Sequence, residues 1–351
     1  MPRATLLSLL AFLSFAPAAA AELVDDALPA GETKVFIGQT SIRYVDEFAE
    51  QTGRDAAGGM WYLAAYADPA ERMAEIAEAV RTHPGLEVSL GLSLGSISSP
   101  EPPRTAAIAA GVYDEQLRAL AMAIKALPVT VQLRIGYEFD LLGGQYGPAE
   151  TYKLAYRHIV DLFRGSGVSN ALYVWHSAGA FWRGADQSFL GQAEGEYGFP
   201  VPGYDAQPIG LFYPGEDYVD AFAVSYWGDT CCFGRTDDGA RGLYEQRTRE
   251  ILDEAKALGL PLTIGESTPA NVGADDGERS VEWLDRAFDL IEAYDIRAWN
   301  LIAMDWQDSE FFSQPFWGGY WPDARIGHFA PTREAFLTRS AQERYVFRSA
   351  G

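Results

Sequence analysis

The chain has 351 residues, of which 49 are acidic and 27 are Lys or Arg, so its formal net charge is −22. A hydrophobic fraction of 48% excludes an intrinsically disordered protein, because a chain of this composition can build a large core. The excess of acid excludes a protein that neutralises phosphates, so neither nucleic acid nor an anionic membrane is an expected partner.

The N-terminal segment has the pattern of a secretory signal peptide. Arg3 precedes an apolar run at 6–15, and an Ala-rich stretch follows at 17–21. The run is shorter than the ~20 apolar residues that a membrane span needs. We therefore predict a signal peptide over 1–21 and a mature single domain over 22–351. We expect this domain to be monomeric and free of the membrane, and to be secreted or periplasmic.

Short apolar runs alternate with amphipathic patterns along the mature chain. The runs predict eight strands, at 34–38, 59–64, 87–92, 129–135, 171–175, 219–225, 261–265 and 297–302. The amphipathic patterns predict helices at 69–81, 113–127, 149–163, 243–258 and 278–293. Eight strands that alternate with helices favour an α/β fold of the (β/α)8 TIM barrel type over a two-domain open sheet. The Gly- and Pro-rich segment 178–214 is longer than an ordinary connection and is expected to carry function.

Two glutamates stand where predicted strands meet their loops. Glu138 follows the fourth strand, and Glu266 follows the seventh. The carboxyl ends of barrel strands form the face that carries active sites. A pair of carboxyl groups across such a face is what glycoside cleavage needs, since one protonates the leaving oxygen and the other attacks or activates water. A single glutamate would more often cap a helix or pair with an Arg, but the pair favours catalysis.

These residues resemble the clan A glycoside hydrolases, and more narrowly glycoside hydrolase family 26, the β-mannanase family and its relatives. The resemblance covers most of the mature chain. It includes Arg134 four residues before Glu138, the run Val174-Trp175-His176 in the fifth strand, and the segment 213–220 that leads into the sixth strand.

The resemblance implies roles for several residues. Glu138 would be the general acid/base and Glu266 the nucleophile of a retaining mechanism, and Tyr226 would match the tyrosine that hydrogen-bonds the nucleophile in the clan. Arg134, Tyr137, Trp175 and His176 would line the substrate site. Tyr137 departs from the family pattern, which has His or, in many clan A families, Asn before the acid, so the family's sugar preference does not transfer.

Aromatic side chains near strand ends fit a sugar-binding cleft, because sugar rings stack on flat aromatic faces. Trp306, after the eighth strand, is the expected platform under the reactive sugar, with Asp305 as a binder of hydroxyl groups. Trp227, after the sixth strand, is a further candidate. About half of the tryptophans are expected to be structural because large aromatics dominate cores, and Trp299 inside the eighth strand is one of these.

Two other motifs are weighed against this hypothesis. The run 91–95 matches the G-x-S-x-G elbow and would make Ser93 the nucleophile of an esterase, with His176 or His328 as base. The Ser- and Pro-rich stretch at 96–103 argues against the helix that the elbow requires. Cys231 and Cys232 are adjacent and form either a vicinal disulfide or two thiols. The four histidines lack zinc-ligand spacing, so no metal and no cofactor are predicted.

The sequence therefore predicts a secreted, retaining glycoside hydrolase that acts on a β-linked polysaccharide or oligosaccharide of the mannan, xylan or β-glucan type. The net charge favours a neutral substrate, because a polyanionic glycan would be repelled. A carbohydrate-binding barrel without catalysis is the alternative, and the unusual Tyr137 keeps it open. The esterase is a third, weaker hypothesis.

Overall fold

The computed structural model describes residues 27–95, 104–141, 145–179, 208–227, 238–270, 277–310, 312–314 and 321–348. Its strands are β1 Thr33–Gly38, β2 Gly58–Ala64, β3 Glu87–Ser93, β4 Val131–Ile135, β5 Ala171–Ser177, β6 Ala221–Trp227, β7 Leu262–Thr268, β8 Ala298–Ile302 and the short β9 Tyr345–Val346. Its helices are α1 Ile42–Thr52, α2 Ala70–Thr82, α3 Thr105–Ala109, α4 Asp114–Lys125, α5 Ala149–Gly165, α6 Asp238–Ala257, α7 Gly277–Tyr294 and α8 Ala330–Arg339.

The first eight strands close into a parallel barrel. Each pairs with the next along the chain, and β1 pairs with both β8 and β2, which completes the ring. The two residues of β9 add to the start of β1. The helices cover the outside of the ring, so the strands are buried on both faces, as the continuous apolar runs predicted. The predicted (β/α)8 TIM barrel is confirmed.

The structure contains helices that the sequence patterns did not predict, α1, α3 and α8. In α1 the apolar stripe is narrow, with Tyr44, Val45 and Phe48 buried. Local signals define its ends: the Ser41 hydroxyl accepts a hydrogen bond from the Arg43 amide, and Gly53 ends the helix with a φ of 69°. In α8 only Thr332 and Phe336 are buried, so its periodicity is too weak to read from the sequence.

Three strands extend two or more residues beyond their predicted ends. The ends of β5, β6 and β7 lie at Ser177, Trp227 and Thr268, two or three residues later than predicted. The added residues include polar ones, which the apolar pattern placed in loops. They are nevertheless buried, because the upper interior of the barrel is lined with hydrogen-bonded polar groups. Glu266 therefore lies within β7 rather than after it.

Candidate active site at the carboxyl end of the barrel

A strained turn after β4 presents Glu138. Its φ is 53°, in the left-handed region that a residue with a Cβ adopts at a cost of order 1–3 kcal/mol. Gly136 has a φ of 55°, and a Cβ there would lie 2.7 Å from the ring of Tyr152. The Gln145 side-chain amide donates to the Glu138 carbonyl at 2.7 Å and holds the turn. Such strain persists only where the surroundings enforce it, which makes this turn a candidate functional element.

One extra residue in β7 presents Glu266. Val224 of β6 pairs with Ile264, but the next residue, Ser225, pairs with Glu266, so Gly265 is left over. A Cβ on Gly265 would lie 2.5 Å from the His176 ring, inside the barrel. Glu266 also faces the interior, where it meets Arg134. Two consecutive inward residues are what a β-bulge produces, and bulges beside active sites re-aim side chains in this way.

Arg134 is the inner partner of Glu266. The side chain is fully buried, and its Nη1 donates to Glu266 Oε1 at 2.6 Å in an ion pair. Its Nε donates to the Ser89 hydroxyl at 3.1 Å. The guanidinium carbon lies 5.1 Å from the ring centre of Tyr62 and 5.7 Å from that of Tyr137. These aromatic faces favour the cation and hold it under the carboxylate.

A second set of contacts joins Arg134 to Glu138. Its Nη1 lies 3.3 Å from His176 Nδ1, and His176 Nε2 lies 3.0 Å from the Ser225 hydroxyl oxygen. Ser225 donates to Glu138 Oε1 at 2.6 Å. The indole N–H of Trp227 donates to the same oxygen at 3.2 Å. A continuous chain of hydrogen bonds therefore connects the two carboxyl groups.

The two carboxyl groups differ in electrostatic environment. Burial and, after it, the negative charge of Glu266 raise the pKa of Glu138 to about 8. Burial also raises the pKa of Glu266, but the Arg134 guanidinium and the Tyr62 hydroxyl oppose that rise. Glu138 is therefore protonated near neutral pH, while the group paired with the cation is the one that ionises first. A protonated acid beside an ionised carboxylate can transfer a proton on one side of a bond and attack or activate water on the other.

Two residues that were expected in the substrate site, Trp175 and Tyr226, lie on the outer side of the barrel wall, so that expectation is corrected. Trp175 is fully buried and stacks on Phe139 with ring centres 5.0 Å apart, so it faces the helix layer. Tyr226 is fully buried too; its hydroxyl donates to Glu245 at 2.5 Å and its ring packs on Trp283 of α7. Successive residues of a strand point to opposite faces, so the inward positions of His176 and Ser225 send these neighbours outward.

Trp306 and Asp305 have structural contacts in the barrel rim. Trp306 is 2% exposed, its indole N–H donates to Thr268 at 3.1 Å, and its ring lies 4.9 Å from that of Trp321. The open platform expected at Trp306 is therefore wrong for the described structure. Asp305 is half-buried and accepts a hydrogen bond from the Gln307 amide at 3.0 Å, which caps a short 3₁₀ turn. Trp299 is buried against Phe288 at 5.2 Å, which confirms its structural role.

The remaining candidates lie either in the barrel interior or outside the described residues. Tyr137 and His176 come together with the glutamates: their rings lie 6.4 Å apart. Ser93 donates to the Gly95 carbonyl, and His176 and His328 have their contacts with Ser225 and Asp323 respectively. These contacts do not support a Ser93 nucleophile. The Cys231–Cys232 pair and most of segment 178–214 lie outside the described residues.

Sequence reasoning missed two residues of the site. Tyr62 of β2 lies at the Arg134–Glu266 pair, and its hydroxyl opposes the rise in the pKa of Glu266. Ser225 links His176 to Glu138. Both are single residues in apolar strands. To find them from the sequence, one would need to know whether each strand position faces into the barrel or out of it.

In the described ranges, no three His, Cys, Asp or Glu side chains are arranged to hold a metal ion. None of the helices described there is long and apolar enough to cross a membrane.

Comparisons with known proteins find distant sequence relatives and structures of similar fold. No protein-family model matches the chain. The chain is 23% identical over 327 residues to the β-1,3-xylanase TXYA of a Vibrio species, covering 83% of this chain and 61% of that protein. It is 26% identical over 144 residues to endoglucanase H of Acetivibrio thermocellus, covering 40% of this chain and 13% of that protein. The chain thus spans less than two thirds of the length of either relative.

Solved structures share the fold at low identity. A glycoside hydrolase family 26 β-mannanase from Bacteroides ovatus matches with a TM-score of 0.61 and 14% identity over 94% of both chains. The GH26C protein of a Muricauda species matches with a TM-score of 0.60 and 14% identity over 96% of both chains. The chain has the barrel fold of the clan A glycoside hydrolases. It resembles these family 26 structures in fold, at low sequence identity.

Proposed function

We propose that the protein is a secreted glycoside hydrolase that cleaves a β-linked, neutral polysaccharide with retention of configuration. Glu138 acts as the general acid and then as the general base, and Glu266 acts as the nucleophile. The observation that carries this proposal is the pair of buried carboxyl groups at the carboxyl end of the barrel, one with a pKa of about 8 and the other ion-paired with Arg134.

The surrounding contacts fit these roles. Arg134 favours the ionised form of Glu266 and fixes one of its oxygens, which leaves the other oxygen for attack at the sugar carbon. The raised pKa of Glu138 supplies a proton at neutral pH. Once Glu266 is bonded to the sugar, its charge is gone and can no longer raise the pKa of Glu138. Glu138 can then accept a proton from the incoming water.

The substrate class is proposed from the relatives and from charge. The names of two of these similar proteins, a β-1,3-xylanase and a β-mannanase, support a xylan or mannan type. A formal charge of −22 favours a polysaccharide without acidic groups.

A panel of polysaccharides tests the proposal. Wild-type protein is incubated with β-1,3-xylan, β-1,4-xylan, β-mannan and β-glucan, and new reducing ends are measured. Glu138→Gln and Glu266→Gln are expected to lower turnover on the hydrolysed glycan by at least about 10³-fold, because each removes a group that acts in the transition state. Glu254→Gln, an exposed position on α6, is the matched control and should keep wild-type turnover.

Each outcome of the panel bears on one part of the proposal. Near-wild-type turnover in either active-site variant would remove that residue's assigned role. Binding to a glycan without release of reducing ends would instead support a carbohydrate-binding barrel.

Proton NMR of the first product separates retention, which gives the β-anomer, from inversion. The mass of protein exported by a host cell tests cleavage near residue 21.

A further inference from the structure

We infer that His176 and Ser225 are positioning residues that give the two oxygens of Glu138 different roles. Oε1 is held as a hydrogen-bond acceptor, and Oε2 carries the proton that is transferred to the leaving group. This inference rests on the proposed glycosidase function, which it extends to residues that do not touch the substrate.

The direction of the hydrogen bonds follows from Arg134. A guanidinium has only donors, so His176 Nδ1, 3.3 Å from Arg134 Nη1, must present its lone pair. Burial and the Arg134 charge lower the pKa of His176, so the ring is neutral and its single proton is on Nε2. That N–H donates to Ser225 at 3.0 Å, and the Ser225 hydroxyl therefore has its own proton free for Glu138.

Two donors converge on one oxygen of Glu138. Ser225 donates to Oε1 at 2.6 Å, and Trp227 donates to Oε1 at 3.2 Å. An oxygen that already accepts two hydrogen bonds is a poor site for a third proton. The acid proton of Glu138 is therefore placed on Oε2. An acid whose proton could occupy either oxygen would donate productively only part of the time.

The positions of His176 and Ser225 are fixed by packing rather than by substrate. Both side chains are fully buried. Gly265 leaves the space for the imidazole, since a Cβ there would lie 2.5 Å from Nε2. The bulge that turns Glu266 inward thus also makes room for the histidine that orients the other carboxyl group.

Other charged and titratable groups surround the hydrogen bonds that link His176, Ser225 and Glu138, and they affect the titration of Glu138. Glu266 approaches from β7, and Arg134 from β4. Tyr137 and Asp140 lie on the turn that carries Glu138 itself. The Glu266 and Asp140 charges raise the pKa of Glu138, whereas the hydrogen bonds from Ser225 and Trp227 lower it.

The test follows the ionisation of Glu138 without substrate. Protein labelled with ¹³C at the glutamate side-chain carboxyl is titrated by NMR, and the Glu138 signal is assigned by its loss in Glu138→Gln. Ser225→Ala removes one donor to Oε1 and is expected to raise the pKa of Glu138 by about one unit. Ser267→Ala is the matched control: this buried serine of β7 bonds the Asn300 carbonyl instead and should leave that pKa unchanged.

A pair of variants isolates the role of His176. His176→Gln keeps one acceptor and one donor in similar positions, whereas His176→Phe keeps ring volume and removes both. We expect His176→Phe to lower kcat on the hydrolysed glycan by at least about tenfold with little change in KM. His176→Gln is expected to retain a much larger part of the wild-type kcat. Circular dichroism and urea unfolding show which variants retain the fold.

The outcomes separate this inference from the proposed function. An unchanged pKa of Glu138 in Ser225→Ala would overturn the role of Ser225. Equal kcat values for His176→Gln and His176→Phe would overturn that of His176. Absence of hydrolysis by the wild-type protein across the panel would overturn the enzyme proposal, whereas the NMR titration would still report on the hydrogen bonds to Oε1.

Discussion

Replacing Glu138 with Gln is expected to stabilise the folded protein at neutral pH while it abolishes turnover. In the folded protein the pKa of Glu138 is about 8, compared with 4.5 for an unperturbed glutamate. Between these two values the folded state retains a proton that the unfolded chain has released. The stability of the wild-type protein therefore falls as pH rises through this window, and the glutamine variant, which does not titrate, is spared that loss.

The magnitude follows from the width of the window. Each pH unit between the two pKa values costs about 1.4 kcal/mol. The variant should match the wild-type protein below pH 4.5 and exceed it by about 3 kcal/mol at pH 7, approaching about 5 kcal/mol above pH 8. Gln can accept the hydrogen bonds from Ser225 and Trp227 through its amide oxygen, so the substitution keeps the contacts of the protonated acid.

Urea unfolding followed by tryptophan fluorescence at several pH values measures this difference. The informative quantity is its slope against pH, about 1.4 kcal/mol per unit between pH 5 and 8. Glu254→Gln, on the exposed face of α6, is the control and should differ from wild type by less than about 0.5 kcal/mol. A stability difference that does not change with pH would refute the raised pKa, and with it the assignment of Glu138 as the protonated partner.

Three further substitutions probe the same site. Glu266→Gln removes a charge that raises the pKa of Glu138, so the ¹³C titration should place that pKa below about 8; an unchanged value would mean that the carboxyl groups are not coupled. Tyr62→Phe removes a hydroxyl that lowers the pKa of Glu266, so the acidic limb of the activity profile should move to higher pH, and a fixed limb would contradict this. Gly265→Ala forces a methyl group into the His176 ring and should lower the free energy of unfolding by about 1–3 kcal/mol. Gly165→Ala, in open space at the end of α5, is its control, and equal stabilities would argue against the close contact.

The barrel was predictable from sequence because its strands are buried on both faces. Such strands appear as continuous apolar runs between amphipathic helices, and their order alone implies the closed parallel sheet. The two glutamates were predictable because strand ends point to one face of the barrel. The fold and the identity of the two carboxyl groups required no knowledge of side-chain direction.

Side-chain direction is what the sequence did not reveal. A strand that is apolar on both faces carries no alternation, so nothing in its pattern indicates which residues point inward. The family resemblance assigned Trp175 and Tyr226 to the site, and the apolar pattern could not correct it, but both point to the helices. Tyr62 and Ser225 were overlooked for the same reason, although both lie at the carboxyl groups.

The extra residue in β7 decides which way the Glu266 side chain points. Ile264 pairs with Trp299, whose ring packs against the helices, so Ile264 faces outward. If β7 instead paired regularly with β6, Gly265 would face inward and the next residue, Glu266, would face the helices. Homologues can therefore be sorted by whether this strand carries the unpaired residue, and a chain with the same residues but a regular strand would carry a differently aimed carboxylate.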